Sequence, residues 1–120
     1  MSLGQDFAEA LARKDFAAIE GLLHPEIDFR AMTPRLLWEQ STPQAVITGV
    51  LREWFDDGGH IEELVSVDSD AVGDTERVGY RFRVRNAKGE HLVEQQAYLR
   101  ESEGRIGWLR IMCSGFRPTS

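Results

Sequence analysis

The chain has 120 residues, of which 42% are hydrophobic and 28% are charged. That length supports one core, so residues 1–120 are treated as a single domain. The composition is typical of a folded globular protein, neither disordered nor membrane-embedded. With 14 Lys and Arg against 20 Asp and Glu, the net charge of -6 argues against a nucleic-acid partner.

The start of the chain and its single cysteine bear on location. Residues 1–6 contain neither the basic region nor the apolar run of a secretory signal, and no stretch approaches the roughly 20 apolar residues of a membrane span. Cys113 has no second cysteine to pair with, so nothing points to an oxidising compartment. We expect a cytoplasmic protein with no membrane partner, in which Cys113 is a buried, inert thiol.

The chain is predicted to open with two short helices or one bent helix. Apolar side chains recur at helical spacing over residues 7–12 and again over residues 16–23, with a polar break between them. Asp15 is the predicted N-cap of the second helix. Because the residue before a proline is displaced from the helical region, this helix is predicted to end at His24-Pro25.

A strand and an irregular connection are predicted next. Residues 27–33 alternate apolar with polar side chains, which predicts a first strand that ends at Pro34. Residues 35–41 show no comparable pattern, yet they include Trp38 and neighbouring leucines. We predict an irregular connection whose apolar side chains fold over another part of the protein.

A longer helix is predicted to follow. Thr42-Pro43 has the sequence of a helix start, with a capping threonine before a proline in the first turn. The apolar side chains of residues 46–55 form one stripe, which is predicted to face the sheet, and Gly58-Gly59 is the predicted helix end. Residues 60–72 predict a further strand or two with a weaker pattern.

Three long antiparallel strands are predicted between residues 77 and 117. From residue 80 to residue 85, apolar side chains alternate with arginines, which is the period of a strand with one buried and one solvated face. Turns at residues 87–90 and 103–104 reverse the chain twice. The simplest packing is an α+β fold in which one strongly curved sheet wraps around the helices.

Three segments carry a resemblance to a known family: Leu22-Leu23-His24-Pro25-Glu26-Ile27-Asp28-Phe29, Val50-Leu51-Arg52-Glu53-Trp54-Phe55 and Glu103-Gly104-Arg105-Ile106. Together with the order of the predicted elements, they resemble the NTF2-like superfamily, in particular its SnoaL-like branch, over nearly the whole chain. The resemblance implies a cone, in which a bent, mostly antiparallel sheet surrounds helices and leaves an internal pocket. Many members are dimers through the convex side of the sheet, so such a homodimer is expected.

The family includes ketosteroid isomerases, polyketide cyclases, epoxide hydrolases, dehydratases, catalytically silent subunits and transport adaptors, so the fold does not specify a function. In the ketosteroid isomerases, a tyrosine and a carboxylic acid form an oxyanion hole and a carboxylate moves the proton. The corresponding positions here are Phe7, Ala97 and Ala31, which lack all three groups. Isomerase chemistry by that route is therefore not expected. The Asp, Arg, Asp set of the epoxide hydrolase branch is not found either.

Strand parity and the family register direct a set of side chains into the cone, and most of them are expected to be core: Phe29, Ala31, Tyr80, Phe82, Val84, Val93, Gln95, Ala97, Leu99, Leu109, Ile111 and Cys113. Gln95 is a polar amide on an apolar face. It must find a partner, either a ligand or a backbone group, or cost about 1 to 3 kcal/mol. Tyr80 offers a phenol that can donate to a carbonyl or act as a weak acid, although buried tyrosines usually have a structural partner.

The histidines are the other candidates for proton transfer. His60, at the start of a predicted strand, is the best-placed imidazole for acid or base catalysis near neutral pH, and a structural or exposed role is the alternative. His24 is predicted to cap a helix end and His91 to face solvent. The histidines show no metal-ligand spacing, and no Gly-rich phosphate loop occurs, so neither a metal nor a cofactor is expected.

Trp38 and Trp54 are candidate walls of an apolar ligand site, with core packing as the alternative for Trp54. The candidate catalytic residues are His60 and Tyr80, and the candidate ligand-binding residues are Trp38, Trp54, Tyr80, Phe82, Gln95, Leu109, Ile111 and Cys113. On the convex face, a basic stripe is either solvated or paired with acidic groups of a second subunit. That stripe consists of Arg81, Arg83 and Arg85.

The hypothesis from the sequence is a cone that binds a small, largely apolar molecule such as a polyketide, terpenoid or steroid-like ring system. If the protein is an enzyme, the resemblance implies acid–base chemistry without a cofactor, of the cyclisation, isomerisation or dehydration type. The alternative is a non-catalytic assembly or adaptor module whose cone is filled by its own side chains. A cavity lined by Tyr80 and Gln95 favours the first, and a solid interior with a large apolar outer face favours the second.

Overall fold

The computed structural model describes residues 2–57 and 59–119, without the side chain of Asp57. In chain order, the elements are helices α1 (Leu3–Ala12) and α2 (Phe16–Leu22), strands β1 (Leu23–Thr33) and β2 (Leu36–Gln40), helix α3 (Pro43–Val46), and strands β3 (His60–Val72), β4 (Thr75–Asn86), β5 (Gly89–Ser102), β6 (Arg105–Cys113) and β7 (Arg117–Pro118). Helix α3 continues into two π-helical stretches, Ile47–Leu51 and Glu53–Asp57. The fold is α+β, as predicted.

The strands of the described chain form one seven-stranded sheet, in the order β2-β1-β6-β5-β4-β3, with β7 beside β5. The β1–β6 pair is parallel and the other pairs are antiparallel. Register shifts interrupt the β1–β6, β3–β4 and β5–β6 ladders. Because such shifts bend a strand and increase its twist, the sheet curves around the helices rather than lying flat.

The helices begin at the predicted caps. Asp15 accepts a hydrogen bond from the Ala18 N–H at 3.1 Å, and Thr42 accepts one from the Ala45 N–H at 3.2 Å. Each cap satisfies a backbone donor that the first turn of a helix leaves free. The predicted helix end at Gly58-Gly59 falls partly on Gly58, which lies outside the described residues.

The predicted end of the second helix at His24-Pro25 is wrong. Helix α2 ends at Leu22, and the two residues already lie in β1. The strand accommodates Pro25 because the β1–β6 register shifts between Leu23 and Asp28, so the missing proline N–H falls at an irregularity of the ladder. The strand therefore begins before the alternating pattern that marks it in the sequence.

The prediction of an irregular connection over residues 35–41 is also wrong. This segment forms β2, which pairs antiparallel with β1 and places Trp38 opposite Ala31. The alternation is hidden in the sequence because Leu36 and Leu37 are both apolar, although successive side chains of a strand point to opposite faces. The pairing holds Trp38 on the concave side of the sheet.

The long strands predicted between residues 77 and 117 are confirmed as β4, β5 and β6. In β4, Tyr80 and Phe82 are buried while Arg81 and Arg85 are exposed, as the period of two requires. The inward side chains pack with the helices into a hydrophobic core. Its largest fully buried members are Tyr80, Phe7, Phe29, Phe55, Phe82, Leu11, Ile19, Leu23, Ile27, Leu51, Leu99 and Ile106.

The chain leaves the ladder after β6 and folds over one end of the sheet. Ser114 stays attached to β5 through its N–H, which donates to the Glu94 carbonyl at 2.9 Å. Gly115 has a φ of +75°, and a Cβ there would lie 2.9 Å from Pro34 Cγ. This close approach holds the C-terminal segment against the turn between β1 and β2, and it sets the position of Phe116.

Replacing Gly115 by alanine is expected to destabilise the fold more than replacing Gly104 by alanine. Both glycines have a positive φ, +75° and +81°, so both substitutions introduce backbone strain of about 1 to 2 kcal/mol. Only Gly115→Ala also forces Pro34 to move, because nothing lies within 4 Å of a Cβ at Gly104. Urea denaturation measures the difference, and equal losses in the two variants would contradict a tight contact with Pro34.

Candidate functional site

A row of aromatic rings runs from the edge strand β2 into the core. Trp38 and Trp54 meet edge to face with ring centroids 5.9 Å apart, and Trp54 meets Phe55 at 6.0 Å. Phe55 packs on Phe82 at 5.4 Å, and Phe82 packs on Tyr80 at 5.2 Å. Such contacts orient the rings as well as burying them. The two tryptophans are therefore held by packing that continues to the centre of β4.

A cavity of about 200 Å³ lies beside the two tryptophans, and we call it the tryptophan cavity. Three parts of the chain form it: the β1–β2 hairpin, the second π-helical stretch after α3, and the end of β6 with the segment beyond it. Its lining residues are Thr33, Trp38, Trp54, Phe55, Cys113, Gly115 and Phe116. The lining is predominantly apolar, which is the character of sites for apolar ligands. The π-helical geometry near Trp54 is itself frequent at functional sites.

The indole N–H groups of the cavity differ in their hydrogen bonding. Trp38 Nε1 donates to Thr33 Oγ1 at 2.9 Å. Trp54 is 8% exposed, and its Nε1 is enclosed and has no hydrogen-bond partner among the described residues. An enclosed donor without a partner costs about 1 to 3 kcal/mol. Elsewhere in the lining, Cys113 Sγ accepts a hydrogen bond from the Gly115 N–H at 3.4 Å.

Tyr80 and Gln95 form a polar pair inside the core. The Tyr80 hydroxyl donates to Gln95 Oε1 at 2.6 Å, and the residues are 1% and 0% exposed. The partner of Gln95 is thus neither a ligand nor a backbone group. Burial raises the pKa of Tyr80 well above its usual value, and the nearby Cys113 adds to the rise. Tyr80 is therefore a hydrogen-bond donor at neutral pH and not a base.

The structure brings only part of the predicted ligand-binding set to the cavity. Trp38, Trp54 and Cys113 line it, whereas the others are buried in the core and do not: Tyr80, Phe82, Gln95, Leu109 and Ile111. A cavity lined by Tyr80 and Gln95 was the observation that would favour the ligand-binding hypothesis; these two side chains are instead buried and bonded to each other. Gln95 does not line the cavity, but it is the cross-strand partner of Cys113, which does.

His60 does not reach this site. It begins β3, as predicted, but it is exposed, while the next residue, Ile61, is buried. His60 pairs with Arg85 at the end of the β3–β4 ladder, whereas Tyr80 pairs with Val67 near the middle. Because alternate residues of a strand point to opposite faces, the imidazole lies away from the concave side. The structure does not support a shared catalytic site for His60 and Tyr80.

The other two histidines also differ from their predicted positions. His91, predicted to face solvent, is 7% exposed because β7 pairs with β5 beside it, and its Nδ1 lies 3.0 Å from the Gly89 carbonyl oxygen. His24, predicted to cap a helix, lies in β1, where its Nε2 and Glu103 Oε1 are 2.8 Å apart. Both differences come from contacts between residues that are distant in the sequence.

Sequence reasoning missed four lining residues: Thr33, Phe55, Gly115 and Phe116. Thr33 is the last residue of β1, and Phe116 reaches the cavity because the chain leaves the ladder after β6. The sequence contains one signal for Phe116: this large apolar side chain follows Gly115, a residue type that is typical of turns. The cavity itself follows from the tertiary contact of this segment with the β1–β2 hairpin.

Core side chains occupy the three positions that the sequence resemblance assigned to the catalytic groups of ketosteroid isomerases. Phe7, Ala31 and Ala97 are 0%, 1% and 0% exposed. Phe7 packs against Tyr80, with ring centroids 6.4 Å apart. These three side chains have no ionisable group, so this part of the interior offers no acid or base of that kind.

The described residues contain neither a cluster of metal-ligand side chains nor a helix suited to a membrane. Within residues 2–57 and 59–119, no three His, Cys, Asp or Glu side chains come together in a way that could hold a metal ion. The helices in these ranges are too short or too polar to cross a membrane.

No protein-family model and no curated protein matches this chain. Solved structures match it over most of its length. An NTF2-like protein from Burkholderia thailandensis has a TM-score of 0.72 at 19% identity, and the match covers 93% of this chain and 88% of the Burkholderia chain. A proposed ketosteroid isomerase from Kribbella flavida has a TM-score of 0.70 at 14% identity, with coverage of 98% and 80%. A proposed polyketide cyclase from Xanthomonas campestris has a TM-score of 0.70 at 15% identity, with coverage of 92% and 86%.

These similarities establish the class of fold. The chain has the NTF2-like fold, an α+β cone, as the resemblance in the sequence implied. The identities lie between 14% and 19%, so they carry neither an activity nor a ligand from those structures to this chain.

Tyr80→Phe is expected to reduce the loss of stability at high pH. The folded-state pKa of Tyr80 is raised, so above pH ~10 the unfolded chain releases this proton while the folded protein keeps it. The stability linked to protonated Tyr80 is complete below pH ~10 and falls above it, by up to about 1.4 kcal/mol per pH unit. Urea unfolding from about pH 8 to pH 11 measures the slope.

Tyr98→Phe is the control for this experiment, because Tyr98 is 40% exposed on the outer face. The slope is expected to keep its wild-type value in that variant. A slope that Tyr80→Phe leaves unchanged would contradict the burial of the Tyr80 phenol.

Proposed function

We propose that this protein binds a small, largely apolar molecule in the tryptophan cavity. The observation that carries the proposal is a cavity walled by the aromatic side chains of Trp38, Trp54, Phe55 and Phe116. Aromatic walls bury a large apolar area against a ring compound and lose little side-chain freedom in doing so. Phe116 is 36% exposed, so the cavity borders the surface and a ligand can enter without opening the core.

The volume of the cavity limits the size of the ligand. An apolar cavity of about 150 Å³ accepts benzene, so about 200 Å³ has room for one substituted ring or a small two-ring compound. Drug-sized ligands occupy sites of roughly 300 to 1,000 Å³. A four-ring steroid or a long polyketide exceeds this volume. The ligand class therefore narrows from the one expected from the sequence to small terpenoid-like or aromatic ring compounds.

Larger surface clefts are less suited to an apolar ligand. One of about 350 Å³ includes the carboxylates of Asp74, Glu76 and Glu101 in its lining. Another of about 470 Å³ runs along β1 and β2 and includes the ion pair of Arg30 with Glu39. Placing an apolar molecule against charged groups removes water from them without replacing its hydrogen bonds. The tryptophan cavity is smaller, but its predominantly apolar lining suits an apolar ligand better.

Two of the similar solved structures support a small-molecule function. They are described as a proposed ketosteroid isomerase and a proposed polyketide cyclase, and both activities concern small organic molecules. The present chain shares their fold, and the tryptophan cavity lies beside its edge strand β2. A binding function of this type is consistent with those proteins without adopting their reactions.

Proton-transfer chemistry is a narrower form of the proposal, and Tyr80 is its candidate residue. The phenol donates to Gln95, and its raised pKa keeps it protonated at neutral pH, so its role is that of a donor. Neither Tyr80 nor Gln95 lines the tryptophan cavity. The binding proposal does not depend on this step, and His60 is not part of it.

Cys113 bears on both the site and the location of the protein. It is a free thiol, which is typical of a reducing compartment and supports the proposed cytoplasmic location. The sequence predicted a buried thiol, whereas Cys113 is partly exposed because its side chain borders the tryptophan cavity. This position makes it the best place to fill the cavity by substitution.

Cys113→Leu is expected to abolish ligand binding while preserving the fold. Leucine adds apolar bulk at the wall and so occupies part of the volume that a ligand requires. Cys113→Ala is the matched control, because it removes the thiol and leaves the space open. Thermal denaturation with a panel of one-ring and two-ring compounds measures binding. A ligand at about a hundred times its Kd adds about 2.7 kcal/mol to stability in the wild type and the control.

Two outcomes contradict the proposal in different ways. Equal binding by Cys113→Leu and Cys113→Ala would place the ligand outside the tryptophan cavity. A panel that leaves the wild-type Tm unchanged would remove small ring compounds as ligands and favour the assembly function.

Assembly through the outer face of the sheet is the second candidate function, and one specific observation favours it. Met32 is the cross-strand neighbour of both Leu37 and Met112, and the three side chains are 51%, 53% and 54% exposed. Adjoining apolar side chains on a surface are typical of contact sites. We propose that this group, the outer apolar cluster, is the centre of a homodimer contact.

The basic stripe contributes less to such a contact, because its charges are already paired within the chain. The ion pairs are Arg81–Glu94 at 3.2 Å, Arg83–Glu63 at 2.8 Å and Arg85–Glu62 at 3.2 Å. Exposed pairs of this kind contribute little to stability, but they leave no excess of positive charge for a partner to neutralise. The stripe therefore fits the border of an interface better than its centre.

Met112→Lys is expected to convert a wild-type dimer into a monomer, because a lysine charge in the outer apolar cluster would be buried by the partner subunit. Val72→Lys is the matched control, since Val72 is 82% exposed and lies at the β3–β4 turn, away from the cluster. Analytical ultracentrifugation measures the mass of each variant. A wild-type protein that sediments as a monomer, or a Met112→Lys variant that remains a dimer, would contradict this contact.

A further inference from the structure

The described sheet has two edge strands, β2 and β3, which differ in how well they are protected against pairing with another strand. In β3, the register with β4 shifts between Ile61 and Glu63 and again between Leu64 and Ser66. Register shifts and charged side chains keep an exposed edge from pairing with a foreign strand. The charged side chains of β3 include four carboxylates, those of Glu62, Glu63, Asp68 and Asp70.

Strand β2 presents a regular and largely apolar edge. It pairs with β1 over five consecutive residue pairs without a register shift. Leu36 and Leu37 are 52% and 53% exposed, and Glu39 is the charged residue of the strand. Among the described residues, no strand lies on the free side of β2. An edge of this kind is open to the addition of another strand.

The backbone groups on the free side belong to Leu37 and Glu39. The turn before β2 has two residues, so Thr33 and Leu36 close the hairpin as a hydrogen-bonded pair. Hydrogen-bonded and non-hydrogen-bonded pairs alternate along an antiparallel ladder. Leu37 and Glu39 therefore direct their N–H and C=O groups away from β1, where the backbone of another strand can bond to them.

The strand that fits this edge is β2 of a second copy of the chain. Arg35 and Glu39 lie two residues before and two residues after Leu37. We propose that two copies pair antiparallel through their β2 edges, about a two-fold axis at Leu37. In this register the two Leu37 residues lie opposite each other, and each Arg35 lies opposite Glu39 of the other copy.

The charges select this register over the neighbouring one. With the axis at Trp38, Leu37 would lie opposite Glu39 of the other copy, and the counter-charge would be lost. Arg35 is exposed at the turn. Glu39 Oε2 pairs with Arg30 at 3.3 Å within the chain, and a carboxylate has a second oxygen that accepts from another guanidinium.

The edge contact is small and is separate from the contact proposed at the outer apolar cluster. It joins residues 35–39 of each copy, and so buries much less than the roughly 800 Å² per partner of a stable interface. It is therefore a weak contact that forms at high protein concentration. Met112→Lys disrupts the outer apolar cluster and leaves this edge unchanged, so the two contacts are tested separately.

Two charge variants test the pairing, because each opposes itself and complements the other. In Arg35→Glu, carboxylate faces carboxylate across the axis, and in Glu39→Arg, guanidinium faces guanidinium. In a mixture of the two, both positions bring opposite charges together. Each variant changes the net charge of -6 by two, so both proteins remain acidic and overall attraction between them does not explain association.

Both variants are made in the Met112→Lys background, and ¹⁵N-labelled Arg35→Glu is titrated with unlabelled Glu39→Arg to about 1 mM. In ¹H–¹⁵N spectra we expect the amide protons of Leu37 and Glu39 to shift downfield, because they gain hydrogen bonds. The Trp38 amide is the internal control, since Trp38 pairs with Ala31 and its N–H is directed toward β1. The labelled variant concentrated alone is expected to show no such shift.

Amide protons of Leu37 and Glu39 that do not move in the mixture would overturn the edge contact. Shifts of equal size in the labelled variant alone would overturn the register about Leu37, because the charges would then have no effect. Shifts confined to the outer face around Tyr98 would overturn the edge contact in favour of a contact between faces. These results are independent of ligand binding in the tryptophan cavity, which lies on the inner side of the sheet.

Discussion

The parallel pairing of β1 with β6 is the contact on which the rest of the site depends. Ala31 of β1 pairs with Ile111 of β6 on one side and with Trp38 of β2 on the other. A parallel pair requires a long connection, and here the connection contains α3, its π-helical continuation and the four strands β2, β3, β4 and β5. The pairing therefore brings the β1–β2 hairpin beside the C-terminal segment, so that Trp38 and Phe116 border one cavity.

Packing decides where the interior of this cone is filled and where it is open. At its centre, the Tyr80 hydroxyl donates to Gln95 Oε1, and Phe7, Ala31 and Ala97 are core side chains. Near the edge strand, the rings of Trp38, Trp54 and Phe55 meet edge to face, and a cavity of about 200 Å³ lies beside them. The open volume and the unpartnered Trp54 N–H occur together at that end.

The same two strands carry the tryptophan cavity and the outer apolar cluster. Met32 points outward while the next residue, Thr33, lines the cavity, and Met112 points outward while Cys113 lines it. This arrangement follows from the alternation of side chains along a strand. A partner on the outer face and a ligand on the inner face would therefore contact opposite sides of the same two strands, through different side chains.

The sequence by itself determined the features that depend on neighbouring residues. The period of two in β4, the caps at Asp15 and Thr42 and the inward direction of Gln95 were predictable because each depends on local geometry. Strand β2, the burial of His91 and the cavity were not, although two of the residues that line the cavity, Trp38 and Trp54, were named from the sequence. Only the tertiary structure decided these, because strand pairing and unfilled volume depend on which distant segments meet, and no local pattern records that choice.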